Sequence, residues 1–165
     1  MNKDLRKVVI AGNWKMNKTR PEAKALIEEL KPIAAKATCD VVICVPFTNL
    51  ETAIEATKGS NIKVGAQNCH FEKSGAFTGE ISADMLLTAG ATHVIIGHSE
   101  RRALYGELDA VISQKVKVAV DAGLTPILCV GETLQQREEE KTLQVLARQL
   151  DAVYAAQPHL LAHSV

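Results

Sequence analysis

The chain has 165 residues and balances 19 Lys and Arg against 19 Asp and Glu, so its formal net charge is zero at pH 7. This balance favours neither a nucleic-acid partner nor an acidic membrane surface, and the length suits one domain over residues 1–165. No apolar run reaches the ~20 residues of a membrane span and the start of the chain is too charged for a signal peptide, so we expect a cytoplasmic protein. The four cysteines lack metal-ligand spacing. We therefore predict reduced thiols and no metal site.

Five short apolar runs rich in β-branched residues recur along the chain and predict β-strands. Their hydrophobicity is continuous rather than alternating, so both faces of each strand should be covered. The predicted strands are residues 8–11, 41–45, 62–66, 93–97 and 126–130.

Apolar stripes at helical spacing separate these strands. The first stripe follows Pro21, which suits an opening helical turn, the second follows Asn49, a candidate N-cap, and the fourth is closed by Gly123. The predicted helical stripes are residues 23–30, 50–54, 85–89, 108–119 and 143–154. Uninterrupted alternation of strand and helix predicts a parallel sheet with right-handed crossovers.

The repeat length is compatible with two parallel architectures. Five units in 165 residues imply a repeat of about 33, and eight such repeats approach the ~250 residues of a (β/α)₈ barrel. The α/β chain is therefore expected to form either about five of the eight βα units of a TIM-type barrel or an open, flavodoxin-like sheet. Periodicity does not separate the two.

Polar residues follow two of the predicted strands at their carboxyl ends, where parallel sheets bring loops together. Lys15 offers a fixed positive charge for a phosphate or an oxyanion, and Asn13 offers an amide donor. His98 precedes what looks like a turn entering a helix, whose free N–H groups disfavour an imidazolium, so a neutral ring is expected there. The alternatives are that Lys15 is a solvated loop charge and that His98 only fills the end of the sheet.

Two other segments receive structural interpretations. Residues 67–80 form a long loop with two phenylalanines, which is typical of a docking segment. Within it, His70 is interpreted as a surface histidine. The acidic run 138–140 is interpreted as the early part of the last helix.

Five long motifs stand out along the chain: AGNWKMN (11–17), GAQN (65–68), SGAFTGE (74–80), IGHSERR (96–102) and CVGET (129–133). Together, and in this order, they resemble the triosephosphate isomerase family. The resemblance extends to about Tyr154 and implies a TIM-barrel fold of which this chain contains the five N-terminal βα units.

The resemblance also implies residue roles. Lys15 and Asn13 would bind the substrate, with Lys15 also catalytic, His98 would be a neutral electrophile, and Glu100 would be an active-site carboxylate. The family interconverts dihydroxyacetone phosphate and glyceraldehyde 3-phosphate through an enediolate without a cofactor. Its catalytic histidine is known to act as a neutral electrophile. Residues implied to support the pocket are Ser99 and Cys129.

The same resemblance makes residues 67–80 a homodimer contact. Thr78 would reach toward the partner's Lys15 and Asn13, and Glu80 would pair with an arginine across the interface. The residues expected at this interface are Phe77, Thr78, Glu80 and Arg101. Expected partners are a triose phosphate and either a second copy or a complementing C-terminal fragment.

The sequence departs from the family in one respect. It contains no Tyr-Glu-Pro-Val-Trp motif with the catalytic glutamate, no following lid and no later glycine-rich phosphate loops. Positioned acid–base groups contribute about 10²–10⁴-fold, so we expect a truncated chain that is nearly inactive alone, with its first and fifth strands as unpaired edges. The tail at 158–165 shows no helical stripe. Alternative functions are a non-catalytic assembly module and a phosphate-binding fragment.

Overall fold

The computed structural model describes residues 6–165, in which five parallel strands alternate with helices. The strands are β1 (Val9–Asn13), β2 (Asp40–Val45), β3 (Ile62–Ala66), β4 (His93–Ile96) and β5 (Thr125–Leu128). The helices are α1 (Arg20–Ala34), α2 (Leu50–Thr57), α3 (Ala83–Ala89), α4 (Ser99–Tyr105), α5 (Asp109–Ala122), α6 (Leu134–Glu138) and α7 (Thr142–Tyr154). Two 3₁₀ helices are Phe47–Asn49 and Pro158–His163.

The strands pair in sequential order from β1 to β5, and every pairing is parallel. An open flavodoxin-like sheet would instead place the first strand between the second and third. Sequential parallel pairing with helical crossovers is the order of a TIM-type barrel. The prediction of five βα units of such a barrel is confirmed, and the open-sheet alternative is wrong.

Strands β2, β3 and β4 are mostly buried on both faces, as their continuous apolar sequences predict, whereas β1 is mostly exposed. The larger core lies between the strands and the helices, where the largest side chains without exposed surface include Ile27, Leu86, Ile96 and Ile112. A smaller cluster lies on the inner face of the curled sheet. Its buried members are Val42, Cys44 and Ile95, with Val9, Ile127 and Cys129 packed against them. Full burial of a large apolar side chain contributes about 1.5–3 kcal/mol.

Two local predictions need correction. Asn49 is the N-cap residue of α2, but its side chain makes no capping bond and instead donates Nδ2 to the Lys18 carbonyl at 2.7 Å. The acidic run 138–140 does not open the last helix, because α6 ends at Glu138 and Glu140 adopts a left-handed φ of 57° before α7. A capping box that starts at Thr133 begins α6 as a separate short helix.

The tail of the chain packs against the sheet. Leu160 is fully buried within the 3₁₀ helix that the sequence did not predict. Val165 donates its N–H to Pro126 O at 2.9 Å and accepts from Leu128 N at 3.0 Å, so the expectation that the fifth strand is an unpaired edge is wrong. Among residues 6–165, β1 has a strand neighbour on its β2 side alone, and its Ile10 is 61% exposed.

Candidate active site

The candidate site lies at the carboxyl ends of β1 and β4, where Lys15, Glu100 and His98 form a chain of contacts. Lys15 Nζ lies 2.8 Å from Glu100 Oε1, and Glu100 Oε2 lies 3.5 Å from His98 Nδ1. Lys15 and Glu100 are about half exposed. Although β1 and β4 are not neighbours in the sheet, these three predicted residues therefore meet, and the cation is open to solvent.

The backbone at Lys15 is held in an unusual conformation. Its φ is 54°, in the left-handed region that side-chain-bearing residues rarely adopt. Asn13 Oδ1 accepts from the Lys15 N–H at 3.0 Å, while Gln67 Nε2 donates to Lys15 O at 3.0 Å and to Cys44 O at 2.9 Å. Asn13 therefore orients Lys15, and Gln67 anchors it to the end of β2.

Gln67 is a site residue to which sequence reasoning gave no role. It appeared within a motif of the resemblance and as the first residue of the 67–80 loop, but it was not assigned to the site, although it directly follows the carboxyl end of β3. In a parallel sheet, a polar side chain directly after a strand lies at the carboxyl ends of the strands, where Lys15 and His98 also lie. Its position directly after a predicted strand is therefore the sequence signal by which Gln67 could have been found.

His98 is the N-cap residue of α4. Its Nδ1 accepts from the Glu100 N–H at 3.2 Å, which assigns the ring proton of the neutral form to Nε2. The Nε2–H group is thereby available as a donor to a ligand oxygen. Ser99, expected to support the pocket, is the first residue of α4.

The charge on Glu100 is stabilised by its neighbours. The hydrogen bond from Lys15 is the largest influence and holds the pKa of Glu100 below its ordinary value; burial opposes this, and the positive charge of Lys15 adds to it. Glu100 is therefore ionised at neutral pH. Because the Lys15–Glu100 pair is exposed, it is weak, and an anionic ligand can compete for Lys15.

Cys129 lies just beyond β5, beside β4. Its N–H donates to Ile96 O at 2.9 Å, and its carbonyl accepts from Arg102 Nη2 at 3.3 Å. Burial raises the pKa of the Cys129 thiol, and the charge of Arg102 opposes that rise in part. Cys129 thus joins the end of β5 to the end of β4 through its backbone, and its thiol is neutral and packed.

A buried ionic cluster around Glu107 was not predicted. Glu107 Oε1 lies 2.6 Å from Lys115 Nζ and 2.6 Å from Arg101 Nε, and Lys115 also donates to Asn68 Oδ1 at 2.9 Å. The side chains of Lys115 and Glu107 are 4% and 8% exposed. Burial acts to raise the pKa of Glu107, but the hydrogen bonds and charges of Lys115 and Arg101 outweigh it and lower the pKa overall.

The sequence did carry a signal for this cluster. Lys115 falls on the apolar face of α5, three residues after Ile112 and four before Ala119, both fully buried. A lysine at such a position requires a buried partner. The partner, Glu107, lies outside the helical stripe, so its identity was not evident from spacing.

The loop at 67–80 is exposed over most of its length, and Phe77 is 42% exposed. Thr78 and Glu80 lie in this exposed part. His70 is not the surface histidine that we expected: its side chain is 15% exposed and its ring centroid lies 4.4 Å from those of both Phe71 and Phe77. The two phenylalanines enclose the imidazole.

The charged residues expected at a dimer interface have partners within the chain. Glu80 Oε2 lies 3.6 Å from His70 Nδ1. Arg101 pairs with Glu107 and stacks over the Tyr105 ring at 4.9 Å from its centroid. The predicted contact between Glu80 and the partner's Arg101 concerns a second copy and stays a prediction.

Cavity size does not mark the candidate site. A cavity of about 600 Å³ lies at the opposite, amino ends of the strands, beside Lys63 and His93. Over residues 6–165, no group of three or more His, Cys, Asp or Glu side chains is placed to hold a metal ion. In the same part of the chain, no helix is long and apolar enough to cross a membrane. The converging polar side chains at the carboxyl ends define the site instead.

The chain is similar to known proteins along almost its whole length. The sequence model of the family described as triosephosphate isomerase matches residues 8–165. A triosephosphate isomerase of Clostridium novyi is 56% identical over 146 residues, covering 88% of this chain and 58% of the relative. One of Clostridium beijerinckii is 53% identical over 148 residues, covering 90% of this chain and 60% of the relative.

Structural similarity agrees with the sequence. The crystal structure of triosephosphate isomerase from Bartonella henselae superimposes with a TM-score of 0.84 at 48% identity, covering 90% of this chain and 62% of that one. This chain thus spans 58% to 60% of the length of the two curated relatives. Motifs, strand order and the match over residues 8–165 agree, and the chain therefore belongs to the triosephosphate isomerase family.

Proposed function

We propose that this chain supplies the cation and the electrophile of an isomerase site that interconverts dihydroxyacetone phosphate and glyceraldehyde 3-phosphate. The contacts from Lys15 through Glu100 to His98, 2.8 Å and 3.5 Å long, carry the proposal. They support it because they join the Lys15 ammonium, through Glu100, to the His98 ring at the face where barrels of this type hold their substrates. The names of the relatives support the triose phosphate as substrate.

In the proposed reaction, each residue acts on charge that develops along the substrate. The Lys15 ammonium binds the phosphate side and stabilises the negative charge of the enediolate. The Nε2–H of His98 donates to the carbonyl oxygen as that oxygen becomes negative. Asn13 holds the backbone of Lys15, while Ser99 and Cys129 support the strand and helix ends around His98.

Proton abstraction needs a base that these residues do not supply. Glu100 is already hydrogen-bonded to Lys15 and has a lowered pKa, so it is a weak base. We propose that the carboxylate base comes from residues outside these 165. The chain alone is then expected to turn over substrate slowly, with a deficit of at least the ~10²–10⁴-fold that one positioned acid–base group contributes.

Binding to the chain alone tests the cation site. Calorimetric titration with 2-phosphoglycolate, an enediolate-like phosphate, should show an affinity that falls about 10- to 100-fold in Lys15→Gln, because a hydrogen bond to a charged group contributes about 1.5–3 kcal/mol. Lys18→Gln is the matched control, since it removes an exposed lysine from the same loop. Equal affinity in the parent and Lys15→Gln would refute this proposal.

Turnover separates an isomerase from a phosphate-binding fragment. Dihydroxyacetone phosphate is incubated with the chain and a separately expressed segment that carries the remaining family motifs, and glyceraldehyde 3-phosphate is measured with a coupled dehydrogenase. Recovered turnover supports the isomerase. Binding of 2-phosphoglycolate with no recovered turnover favours the phosphate-binding alternative.

We also propose that residues 67–80 mediate association with a second copy of the chain. The exposed Phe77, which packs against His70, supports this proposal because it presents apolar surface from a protruding loop. In analytical ultracentrifugation, Phe77→Ser is expected to lower the apparent mass toward that of one chain. Leu143→Ser is the control, since Leu143 is also exposed but lies on α7. An unchanged mass distribution in Phe77→Ser contradicts the proposal.

Cytoplasmic localisation stays a prediction.

A further inference from the structure

The turn between β4 and His98 depends on a close approach of Arg102 to Gly97. Gly97 has a φ of 75°, in the left-handed region. A Cβ placed on it would lie 3.1 Å from Arg102 Nη2 and 3.1 Å from the Cys129 carbonyl oxygen. Because Gly97 has no side chain, the guanidinium of Arg102 can lie directly against its backbone, one residue before His98.

The guanidinium of Arg102 joins three elements. Its Nε donates to Gly97 O at 2.8 Å, its Nη2 donates to Cys129 O at 3.3 Å, and its Nη1 lies 2.5 Å from Asp109 Oδ1 at the start of α5. The Arg102 side chain is 18% exposed. Since a guanidinium is planar and holds its donors at fixed angles, these contacts fix the relative positions of the ends of β4 and β5.

Fixing the Gly97 carbonyl also fixes the plane of the peptide bond that leads into His98. That plane sets the direction from which the His98 side chain leaves the backbone. The ring then reaches the Glu100 N–H, from which Nδ1 accepts at 3.2 Å. No described contact joins Arg102 to Lys15 or to the His98 ring directly.

We infer that Arg102 is a positioning residue for His98: its guanidinium holds the Gly97–His98 peptide against the end of β5 and so aims the imidazole into the site. The inference rests on the proposed function for its catalytic consequence. The geometric consequence is independent of that function and is measured without substrate.

Nuclear magnetic resonance of the 165-residue chain tests the inference. At alkaline pH, where imidazoles are neutral, the parent should show a scalar coupling across the hydrogen bond between the Glu100 amide nitrogen and His98 Nδ1. The coupling is expected to disappear in Arg102→Ala and to be partly restored in Arg102→Lys. Arg148→Ala is the control: Arg148 also pairs with Asp109, at 3.6 Å, but is 62% exposed. The coupling should persist there.

A second measurement distinguishes positioning from loss of the helix. The N–H groups of residues 101 and 102 donate to His98 O, so their amide exchange reports whether α4 is intact. Lost coupling with protected amides supports the inference, whereas retained coupling in folded Arg102→Ala overturns it. If Arg102→Ala does not fold, Asp109→Ala removes the acceptor of one guanidinium hydrogen bond. Weakened coupling then supports the inference, and unchanged coupling overturns it.

The catalytic consequence is measured in the complemented assembly that turns over dihydroxyacetone phosphate. Displacement of a catalytic group by ~1 Å costs about 10²-fold, so Arg102→Ala should lower kcat by about that factor with little change in KM. If the parent assembly shows no turnover, the proposed function fails while the coupling result stands. If the parent turns over and Arg102→Ala matches it in kcat, the positioning role fails.

Discussion

Replacement of Glu107 by alanine is expected to lower the free energy of unfolding by about 3–5 kcal/mol, the cost of breaking a buried ion pair. The variant leaves the ammonium of Lys115 inside the protein with only Asn68 Oδ1 at 2.9 Å, and it deprives Arg101 of its 2.6 Å contact. An uncompensated buried charge is the main source of the loss. Urea denaturation followed by circular dichroism measures it.

A surface ion pair provides the comparison for this variant. Glu51 pairs with Arg20 at 3.1 Å, and its side chain is 88% exposed. Glu51→Ala should change the free energy of unfolding by less than about 1 kcal/mol. A loss of that small size in Glu107→Ala would mean that the buried cluster is not paired as described.

The Glu107 cluster also predicts a pH dependence. Because the pKa of Glu107 is lower in the folded chain than its ordinary value of 4.5, the ionised group stabilises the fold above that value. This contribution is lost as pH falls through the lower, folded-state pKa. The difference in free energy of unfolding between the parent and Glu107→Gln should therefore shrink on acidification below pH 4.5. A constant difference contradicts the assignment.

Replacement of His98 by glutamine is expected to lower kcat about 10²–10⁴-fold in the complemented assembly, with a smaller change in KM. Glutamine keeps an amide donor but does not reproduce the placement of the Nε2–H that results from the bond between Nδ1 and Glu100 N. Affinity for 2-phosphoglycolate should fall much less than in Lys15→Gln, because the proposed mechanism assigns the phosphate side to Lys15. Steady-state kinetics and calorimetry measure the two effects.

The control for this variant is His159→Gln, which removes an exposed histidine from the tail. Its kcat should equal that of the parent. A kcat for His98→Gln within tenfold of the parent, in protein that is folded and binds 2-phosphoglycolate, would remove His98 from the proposed mechanism.

The sequence predicted the repeating features of the fold well because each strand and helix carries its own hydrophobic pattern. The third strand was predicted with its observed bounds, Ile62–Ala66, and Gly123 ends α5 with a left-handed φ of 96°. Strand order was not available from periodicity, since an open sheet and a barrel share the same βα repeat. The family resemblance resolved that choice before the structure did.

Features that depend on contacts distant in sequence were missed. The pairing of Lys115 with Glu107 and Asn68 joins α5 to the loop after β3, and no local pattern encodes it. The tail at Pro158–His163 lacks helical spacing because a 3₁₀ helix has a different period and Leu160 alone anchors it in the core. In the site, Lys15, Asn13 and His98 were predicted from their strand ends, whereas the bond from the Gln67 side chain to Lys15 O was not.

The amide nitrogen of Gln67 is shared by two carbonyls, those of Lys15 and Cys44. The Lys15 backbone is consequently held at the ends of β2 and β3. Only the side-chain torsion angles of Lys15 have to change when an anion binds to its ammonium group. Loosening of β2 or β3 would thus also displace the Lys15 carbonyl, and with it the lysine side chain. If Lys15 binds a phosphate as proposed, a substitution that loosens β2 or β3 should therefore weaken that binding without touching Lys15 itself.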